Sequence, residues 1–251
     1  MSKRDYRAGS FGTMVVLGES HVAGACASDS SKCWVSIVGD LISRFQGSPV
    51  DCFNKGIGAN AISIRSPGYE LSRKPSGLER LHDDVIDLDP DLFILSYGLN
   101  DMRAGMVLEE FLEDLGTMIL EVRRKCDPVI VLTTVYYMSD YSLYPPYDRG
   151  SISDTVRYNQ GIHDLCKDLD CIIADIWDAE GQADWVIHPD TVHANDLGHL
   201  LIANRVFEAV AKNCSGTASS VTEALIQAKE EVEKTMDRRK RPQNYGKGGD
   251  Y

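Results

Sequence analysis

The sequence predicts an α/β fold with a parallel sheet, and two observations carry that prediction. Several short apolar runs are continuous rather than alternating, which is typical of strands covered on both faces. Segments with apolar residues at spacings of three and four separate these runs, as amphipathic helices require. The alternation of strand and helix indicates crossover connections between parallel strands. With 251 residues, of which 43% are hydrophobic, the chain is long enough for one sizeable α/β domain or two small ones.

Five apolar runs are the predicted strands, and four amphipathic segments are the predicted helices. In chain order, the strands are Met14–Leu17, Val50–Phe53, Leu92–Ser96, Val129–Thr134 and Cys171–Ile176. The helices are Trp34–Phe45, Val107–Val122, Thr155–Leu169 and Asp196–Val210. Together these segments predict one α/β domain over residues 11–214.

Two long loops interrupt the alternation of strand and helix. They cover residues 59–78 and 136–150, and loops of this length inside a compact domain are often functional. The second loop follows the fourth strand, which places it at the carboxyl edge of the sheet. Its tyrosines either line a substrate cleft or cover part of the core, and the sequence favours neither: Tyr136, Tyr137, Tyr141, Tyr144 and Tyr147.

A helical extension and a polar tail are predicted over residues 215–251. Ser220 and Glu223 fit a capping box, which predicts that a helix begins at Ser220. One apolar stripe follows along that helix, and it comprises Val221, Ala224, Leu225, Ala228, Val232 and Met236. We expect the stripe to pack on its own domain, and pairing with a second copy as a homo-oligomer is the alternative. The basic and Gly-rich segment 238–251 is expected to be mobile.

The composition argues against several kinds of partner and site. The net charge of -12 argues against nucleic acid, because a nucleic-acid site needs a basic face to neutralise phosphates. No apolar run reaches the ~18 residues of a membrane span, and the first residues lack a signal-peptide core, so we expect a cytoplasmic protein. Seven cysteines without a CxxC pair indicate reduced thiols rather than a disulfide framework or a zinc site.

A serine, a histidine and an acid are the residues that first suggest chemistry. Ser20 follows the first predicted strand, at the edge where parallel sheets bind their ligands. Asp190 and His193 share one short loop near the other end of the chain, so the carboxylate can orient the imidazole. These three side chains are the components of a nucleophilic hydrolase. A metal site formed by His188, Asp190 and His193 is an alternative that no strong ligand spacing supports.

Two further segments follow the second and third predicted strands. The first contains Gly56, where glycine lets the backbone approach a ligand and offer an N–H group. The second contains Asn100, whose amide can stabilise a developing oxyanion, although the Gly, Asn and Asp of this segment also form ordinary turns. The run Gly56–Ala61 also matches the GxGxxA dinucleotide fingerprint, but it follows the second strand rather than the first.

Taken in order, the four segments resemble the SGNH hydrolases, also called the GDSL esterase/lipase family. The shared motifs are Gly-x-Ser ending at residue 20, Asn-x-Gly ending at residue 56, Gly-x-Asn-Asp at 98–101 and Asp-x-x-His-x-Asn at 190–195. The resemblance covers residues 13–212. It implies a three-layer α/β/α sandwich with a flavodoxin-like parallel sheet of about five strands, as in that family.

The same resemblance implies a role for each motif residue. Ser20 is the expected nucleophile, His193 the general base and Asp190 the acid that orients it. The backbone N–H groups of Ser20 and Gly56 and the side chain of Asn100 are the expected oxyanion hole. The family uses no cofactor, so we expect neither a cofactor nor a metal.

The chain departs from the family pattern at two positions. Glu19 stands where the family has aspartate before the serine, and Ala194 stands where it has proline between histidine and asparagine. Neither position belongs to the triad, so we expect the chemistry to persist, with altered local packing at Glu19. Val22 replaces the last glycine of Gly-x-Ser-x-Gly, which argues against the nucleophile elbow of the α/β-hydrolases.

The expected function is that of a serine esterase. We expect it to hydrolyse short acyl groups, acetyl above all, from a polar or carbohydrate alcohol through an acyl-enzyme. The expected partner is therefore a small-molecule or carbohydrate ester. An acyltransferase with the same triad and a non-catalytic binding module with the same fold are the alternatives.

Overall fold

The computed structural model describes residues 4–240 and contains a parallel sheet of five strands. The strands are β1 Thr13–Gly18, β2 Asp51–Gly56, β3 Leu92–Ser96, β4 Val129–Thr133 and β5 Ile172–Ala174. Their order across the sheet is β2-β1-β3-β4-β5. Every neighbouring pair is parallel, which confirms the predicted α/β fold and its flavodoxin-like sheet.

Helices connect the strands and cover both faces of the sheet. In residues 4–240 they are α1 Trp34–Gln46, α2 Tyr69–Ser72, α3 Leu81–Asp84, α4 Leu99–Arg103, α5 Leu108–Lys125, α6 Ile152–Asp168, α7 Ile176–Glu180, α8 Asp196–Asn213 and α9 Ser219–Lys240. The four predicted helices correspond to α1, α5, α6 and α8. Because α1 packs against α8 and α5 against α6, the sheet is the middle of three layers.

The central strands are enclosed, whereas the edge strand β2 is not. Every residue of β3 and β4 is buried, and β1 is buried from Met14 onward. Residues 51–54 of β2 are exposed, including Phe53 at 37%. Coverage on both faces, which the apolar runs predict, therefore holds at the centre of the sheet and fails at the β2 edge.

The register of β1 with its two neighbours brings three strand ends to one level. Gly18, the last residue of β1, pairs with Gly56 of β2 and with Ser96 of β3. The segments that follow these strands therefore leave the sheet side by side at its carboxyl edge. Open parallel sheets bind ligands at this edge, and three of the four motif segments begin here.

Most tyrosines of the loop after β4 cover the core. Tyr136, Tyr137 and Tyr147 are buried. The hydroxyl groups of Tyr136 and Ser96 share a hydrogen bond of 2.8 Å. Tyr144 is 63% exposed and meets the ring of Tyr147 edge to face. Tyr136 belongs to the main core, Tyr137 to a smaller apolar cluster, and Tyr141 packs against the main core. Of the two roles considered for this loop, covering the core thus accounts for these three of the five rings.

The C-terminal helix begins differently from the prediction. A helical turn over Ser215–Ala218 leads directly into α9 at Ser219, whose backbone is already helical (φ -56°, ψ -46°). Ser220 is therefore an internal helix residue, and its hydroxyl donates to the Phe45 carbonyl group. The capping-box prediction is wrong because no residue with an extended backbone separates the turn from α9.

The apolar stripe of α9 faces away from the domain. Val221, Leu225, Val232 and Met236 are between 43% and 66% exposed. The bond from Ser220 to α1 holds the first turn of α9, and beyond that turn these side chains meet solvent. The expected packing on the same domain is thus wrong, and pairing with a second copy stays a prediction. The tail 241–251 lies outside the described residues.

Two predictions from the composition are tested by the fold. All seven cysteines are free, as the absence of CxxC pairs predicts. Five of them are buried, which keeps their thiols away from oxidants in solution. Within residues 4–240, no helix combines the length and the apolar character needed to cross a membrane.

Glu180, the last residue of α7, is a buried acid with one unpartnered oxygen. It is 1% exposed. Its Oε2 accepts the Tyr137 N–H at 2.8 Å, whereas its Oε1 has no partner among the described residues. Burial raises the pKa of Glu180 to about 8. The folded protein therefore keeps this proton at pH values where the unfolded chain has already released it.

Replacing Glu180 with glutamine is expected to stabilise the protein increasingly as the pH rises from about 5 to about 8. Across this range the unfolded wild type releases the proton and the folded wild type holds it, so wild-type stability falls with pH, whereas the amide has no proton to lose. The difference in free energy of unfolding should reach about 2–4 kcal/mol at the upper end. Urea unfolding across the range measures it, with the exposed Glu233→Gln as control. A difference independent of pH would contradict the prediction.

Candidate active site

The turn after β1 holds Ser20 at the carboxyl edge of the sheet. Bonds from the Ala23 N–H to the Glu19 carbonyl (3.0 Å) and from the Ala25 N–H to the Ser20 carbonyl (2.9 Å) close this nucleophile turn. His199 secures its far end, because the His199 Nε2 lies 3.0 Å from the Ala25 carbonyl oxygen. The Ser20 N–H has no acceptor within residues 4–240, so it can donate to a ligand.

A short hairpin over residues 187–194 presents the acid and the base together. Ile187 and Ala194 form an antiparallel bridge, and the His188 N–H donates to the His193 carbonyl at 2.7 Å. Asn195 then caps α8 by accepting two backbone N–H bonds from the first turn. The hairpin is therefore held at its base by the bridge and after its end by the start of a long helix.

The three predicted triad side chains meet where the hairpin approaches the nucleophile turn. His193 Nε2 lies 2.8 Å from Ser20 Oγ. His193 Nδ1 lies 2.6 Å from Asp190 Oδ2. One continuous chain of hydrogen bonds therefore runs from the carboxylate through the imidazole to the hydroxyl. Such an arrangement can orient the imidazole and move a proton from serine to histidine.

Asp190 is kept ionised by the donors around it. Oδ1 accepts the backbone N–H groups of Val192 (3.1 Å) and His193 (3.0 Å), and Oδ2 accepts from the His193 ring and from the Cys26 thiol (3.3 Å). Burial opposes ionisation, but the bonds from His193 and Val192 outweigh it and hold the pKa of Asp190 well below its usual range. With two donors on each oxygen, the carboxylate has no free lone pair, which argues against the alternative metal site with His188.

His21 is a site residue that no sequence pattern reveals. It is fully buried, and its ring stacks on Tyr136 with centroids 3.9 Å apart. Its Nε2 accepts the Ala194 N–H at 3.3 Å, which joins the nucleophile turn to the hairpin. Burial lowers the pKa of His21 well below its usual value, so the ring is neutral and can accept this bond. Its place directly after Ser20 is the one signal that the sequence offers.

The carboxyl group of Glu19 fixes the segment that carries Asn100. Its Oε1 accepts the Gly98 N–H at 2.8 Å, and its Oε2 accepts the Asn100 N–H at 3.1 Å. Burial and the neighbouring Asp101 raise the pKa of Glu19 well above its usual value despite these two bonds. Gly98 has a φ of 124°, which lets the chain turn sharply from β3 into α4. Glu19 therefore does more than alter local packing, because it binds the backbone on which Asn100 sits.

Two bonds join α4 to the segment that follows β2. Asn100 Nδ2 donates to the Asn60 carbonyl at 3.1 Å, and the second hydrogen of this amide has no acceptor among the described residues. Asp101 Oδ1 accepts the Ile62 N–H at 3.1 Å. The amide of Asn100 is thus held at the edge that Ser20 occupies, with one N–H available for a ligand.

Gly56 lies at the same edge, but its N–H group is already used. It donates to Asn54 Oδ1 at 2.9 Å. A Cβ atom at Gly56 would lie 2.1 Å from the Ala23 nitrogen, so glycine is required where β2 passes the nucleophile turn. Further along, the backbone N–H groups of residues 58–60 donate to no acceptor within the described chain.

The nucleotide-binding alternative for residues 56–61 has no structural support. A dinucleotide fingerprint places the pyrophosphate at the N-terminus of a helix that follows directly. Here β2 leads into a loop, and the next helix, α2, begins at Tyr69. The segment therefore lacks the helix dipole that would bind a pyrophosphate.

Solved structures share this fold. The acetylxylan esterase Axe2 from Geobacillus stearothermophilus matches with a TM-score of 0.61 and 19% identity, over 81% of this chain and 96% of that one. A lipase/acylhydrolase from Enterococcus faecalis matches with a TM-score of 0.64 and 20% identity, over 79% and 95%. LAE5, an alpha/beta hydrolase enzyme from the metagenome of Lake Arreo in Spain, matches with a TM-score of 0.61 and 18% identity, over 82% and 97%.

At identities of 18–20%, these solved structures establish the fold alone. Comparison with the sequences of protein families and of curated proteins addresses the family. No curated protein matches the chain. The GDSL-like Lipase/Acylhydrolase family, in contrast, matches residues 16–201, which include the nucleophile turn, the Asn100 segment and the hairpin. The chain therefore belongs to the GDSL-like lipase/acylhydrolase family and is a carboxylic ester hydrolase.

Proposed function

We propose that the protein is a serine esterase in which Ser20 is the nucleophile, His193 the general base and Asp190 the orienting acid. The observation that carries this proposal is the unbroken hydrogen-bond chain, with 2.8 Å from Ser20 Oγ to His193 Nε2 and 2.6 Å from His193 Nδ1 to Asp190 Oδ2. A serine hydroxyl is a weak nucleophile until a neighbouring base takes its proton. Here the base is in contact with the hydroxyl before any substrate arrives.

The reaction then proceeds in two steps. Ser20 Oγ attacks the ester carbonyl while its proton passes to His193, and His193 returns the proton to the departing alcohol. Water then attacks the acyl-enzyme with the same histidine as base, and the acid is released. The ionised Asp190 stabilises the imidazolium in both steps. The N–H bonds that keep Asp190 ionised therefore also support catalysis.

The oxyanion hole is assigned to Ser20, Asn100 and the segment after β2. The Ser20 N–H and the second hydrogen of the Asn100 amide have no acceptor in the described chain, so both are available for a developing oxyanion. Because the Gly56 N–H is engaged by Asn54, we assign the third donor to a backbone N–H of residues 58–60 in place of Gly56. Gly56 then serves to let β2 approach the serine.

The proposed substrate is a short acyl ester, such as an acetyl ester, of a polar or carbohydrate alcohol. The acetylxylan esterase Axe2 shares the fold over nearly its whole length, which supports this class. The rings support it too, because Tyr136 and Tyr147 are buried rather than exposed along an open apolar groove.

Replacing Ser20 with alanine is expected to lower kcat on p-nitrophenyl acetate by about 10⁴-fold or more, because the attacking oxygen is lost. The exposed Ser153→Ala on α6 is the matched control and should retain wild-type activity. Both variants are assayed as purified proteins after their melting temperatures have been compared. Hydrolysis that persists in the Ser20 variant would refute the proposed mechanism.

A series of p-nitrophenyl esters of increasing acyl length tests the substrate class. We expect kcat/KM to be highest for acetate and to fall by about tenfold or more by eight carbons, because the proposed site accepts a small acyl group. The same preference should appear in release of acetate from acetylated sugars. If kcat/KM is instead highest at eight carbons or longer, the proposed substrate would be a lipid ester rather than a carbohydrate ester.

Glu19→Gln is expected to lower kcat by about tenfold with little change in KM, because the amide NH₂ opposes one of the two N–H donors that Glu19 accepts. Asn100→Ala should cost about 100-fold or more in kcat. If Glu19 acts through Asn100, adding Glu19→Gln to Asn100→Ala should cost little more.

Two further measurements decide the role of Glu19. Glu19→Asp, which keeps a carboxylate on a shorter side chain, should retain more activity than the glutamine variant. If the loss of kcat in the double variant equals the product of the two single losses, Glu19 does not act through Asn100.

A further inference from the structure

Arg103, the last residue of α4, is a buried cation without a counter-ion. The residue is 6% exposed. Its Nε is enclosed and has no acceptor, and its two terminal nitrogens donate no hydrogen bond within residues 4–240. No carboxylate of the described chain forms an ion pair with the guanidinium group.

This lack of partners sets Arg103 apart from the enclosed Arg80 and from the exposed Arg65. Arg80, which is 7% exposed, pairs with Asp84 at 2.7 Å and donates to several further oxygens. Arg65 donates to both oxygens of Asp114. The chain has 38 acidic residues against 26 basic ones, so carboxylates are not scarce. Leaving a buried cation unpaired is destabilising, so folding alone does not favour this arrangement.

The guanidinium group lies beside the proposed catalytic residues. Arg103 stands three positions after Asn100 on the same short helix. Its Cζ is 5.1 Å from the centroid of the Tyr147 ring, which belongs to the loop after β4. Burial lowers the pKa of the guanidinium group, and the nearby carboxyl groups of Glu19 and Asp190 oppose this shift. The cation therefore lies at the carboxyl edge of the sheet, against the loop after β4.

The two nearby carboxyl groups are already committed to other donors. Glu19 receives the backbone N–H groups of Gly98 and Asn100, one on each oxygen. Asp190 receives two donors on each oxygen, as described for the triad. The N–H groups of Arg103 thus stay available, and the terminal nitrogens are the part of the side chain that solvent reaches.

We propose that Arg103 binds a carboxylate of the substrate, so that the enzyme prefers esters with an anionic group near the scissile bond. The planar guanidinium fork matches a carboxylate with two parallel N–H bonds, and such charge-assisted pairs are among the strongest polar contacts in proteins. The inference rests on the proposed esterase function and adds the chemical class of the group beside the ester.

A dedicated cation is what such a preference requires in this chain. The net charge of -12 produces a field that repels anions from the surface as a whole. An unpaired arginine inside the site reverses that field locally, where low polarity strengthens the interaction. The cost of burying Arg103 alone is then offset when the substrate arrives.

Two matched pairs of esters test the proposal and locate the carboxylate. O-acetyl glucuronate against O-acetyl glucose varies the charge on the alcohol side, and p-nitrophenyl hemisuccinate against p-nitrophenyl butyrate varies it on the acyl side. In at least one pair, the wild type should prefer the anionic ester by about tenfold or more in kcat/KM. Arg103→Gln should bring that ratio to about one, and Arg103→Lys, which keeps the charge without the fork, should fall between.

Controls separate this proposal from the esterase function itself. Arg44→Gln, at an exposed position on α1, should leave the ester ratio unchanged. Equal rates within both pairs for the wild type, or a preference that survives in Arg103→Gln, would overturn the proposal while the esterase function stands.

Binding gives a readout that needs no turnover. By calorimetry, Ser20→Ala protein should bind glucuronate or succinate more tightly than glucose or butyrate, and adding Arg103→Gln should remove the difference even if no ester is hydrolysed. Because the cation forms neither a hydrogen bond nor an ion pair within residues 4–240, and the variant gives up only its contact with the Tyr147 ring, the melting temperature of Arg103→Gln should stay close to that of the wild type. A lower melting temperature with an unchanged ester ratio would assign Arg103 to the fold instead.

Discussion

The parallel register of β1 with β2 and β3 is the constraint on which the site depends. Because Gly18 pairs with both Gly56 and Ser96, the three following segments leave the sheet at one level. Ser20, the segment after β2 and Asn100 therefore meet through backbone topology, with no long side chain needed to bridge them. The approach is so close that residue 56 can carry no more than a hydrogen, since a Cβ there would lie 2.1 Å from the Ala23 nitrogen. A shift of one residue in this register would separate Ser20 from the proposed oxyanion donors.

Buried polar groups then hold in place what the sheet brings together. Glu19 accepts two N–H groups at the start of α4, Asp101 accepts one from the segment after β2, and His21 accepts one from the hairpin. Each of these N–H groups would be costly to leave unsatisfied in the interior, so each bond both stabilises the fold and fixes a catalytic segment. Arg103 is the exception, because it is enclosed and its guanidinium group donates no hydrogen bond within the part of the chain that the structure describes. Glu19, Asp101 and His21 use their acceptor atoms to position the backbone, whereas the donors of Arg103 are available for a ligand.

The strands and four long helices could be predicted from sequence because their signals are local, and the residues of the proposed triad stand in equally local motifs. A continuous apolar run such as Leu92–Ser96 identifies a buried strand, and Asp190 and His193 lie only three positions apart.

The predictions that failed, and the roles that were missed, depend on contacts between distant segments. Gly56 has the right residue type, yet Asn54 engages its N–H. From the sequence, Glu19 in place of aspartate predicts only altered packing. In the structure, it accepts the N–H groups of Gly98 and Asn100. The stripe of α9 has a helical period, but period alone does not say which surface the helix meets.

The hairpin over residues 187–194 has a consequence for how the site is assembled. Asp190 and His193 are joined by local bonds within one turn, so their mutual geometry does not depend on where the hairpin sits. Ser20, in contrast, lies in the turn that follows the buried central strand β1. Asp190 and His193 thus form one local unit, and the fold of the chain brings this unit to Ser20. The one distance in the triad that the tertiary structure must supply is that between Ser20 Oγ and His193 Nε2, and the bond from Ala194 to His21 is what sets it.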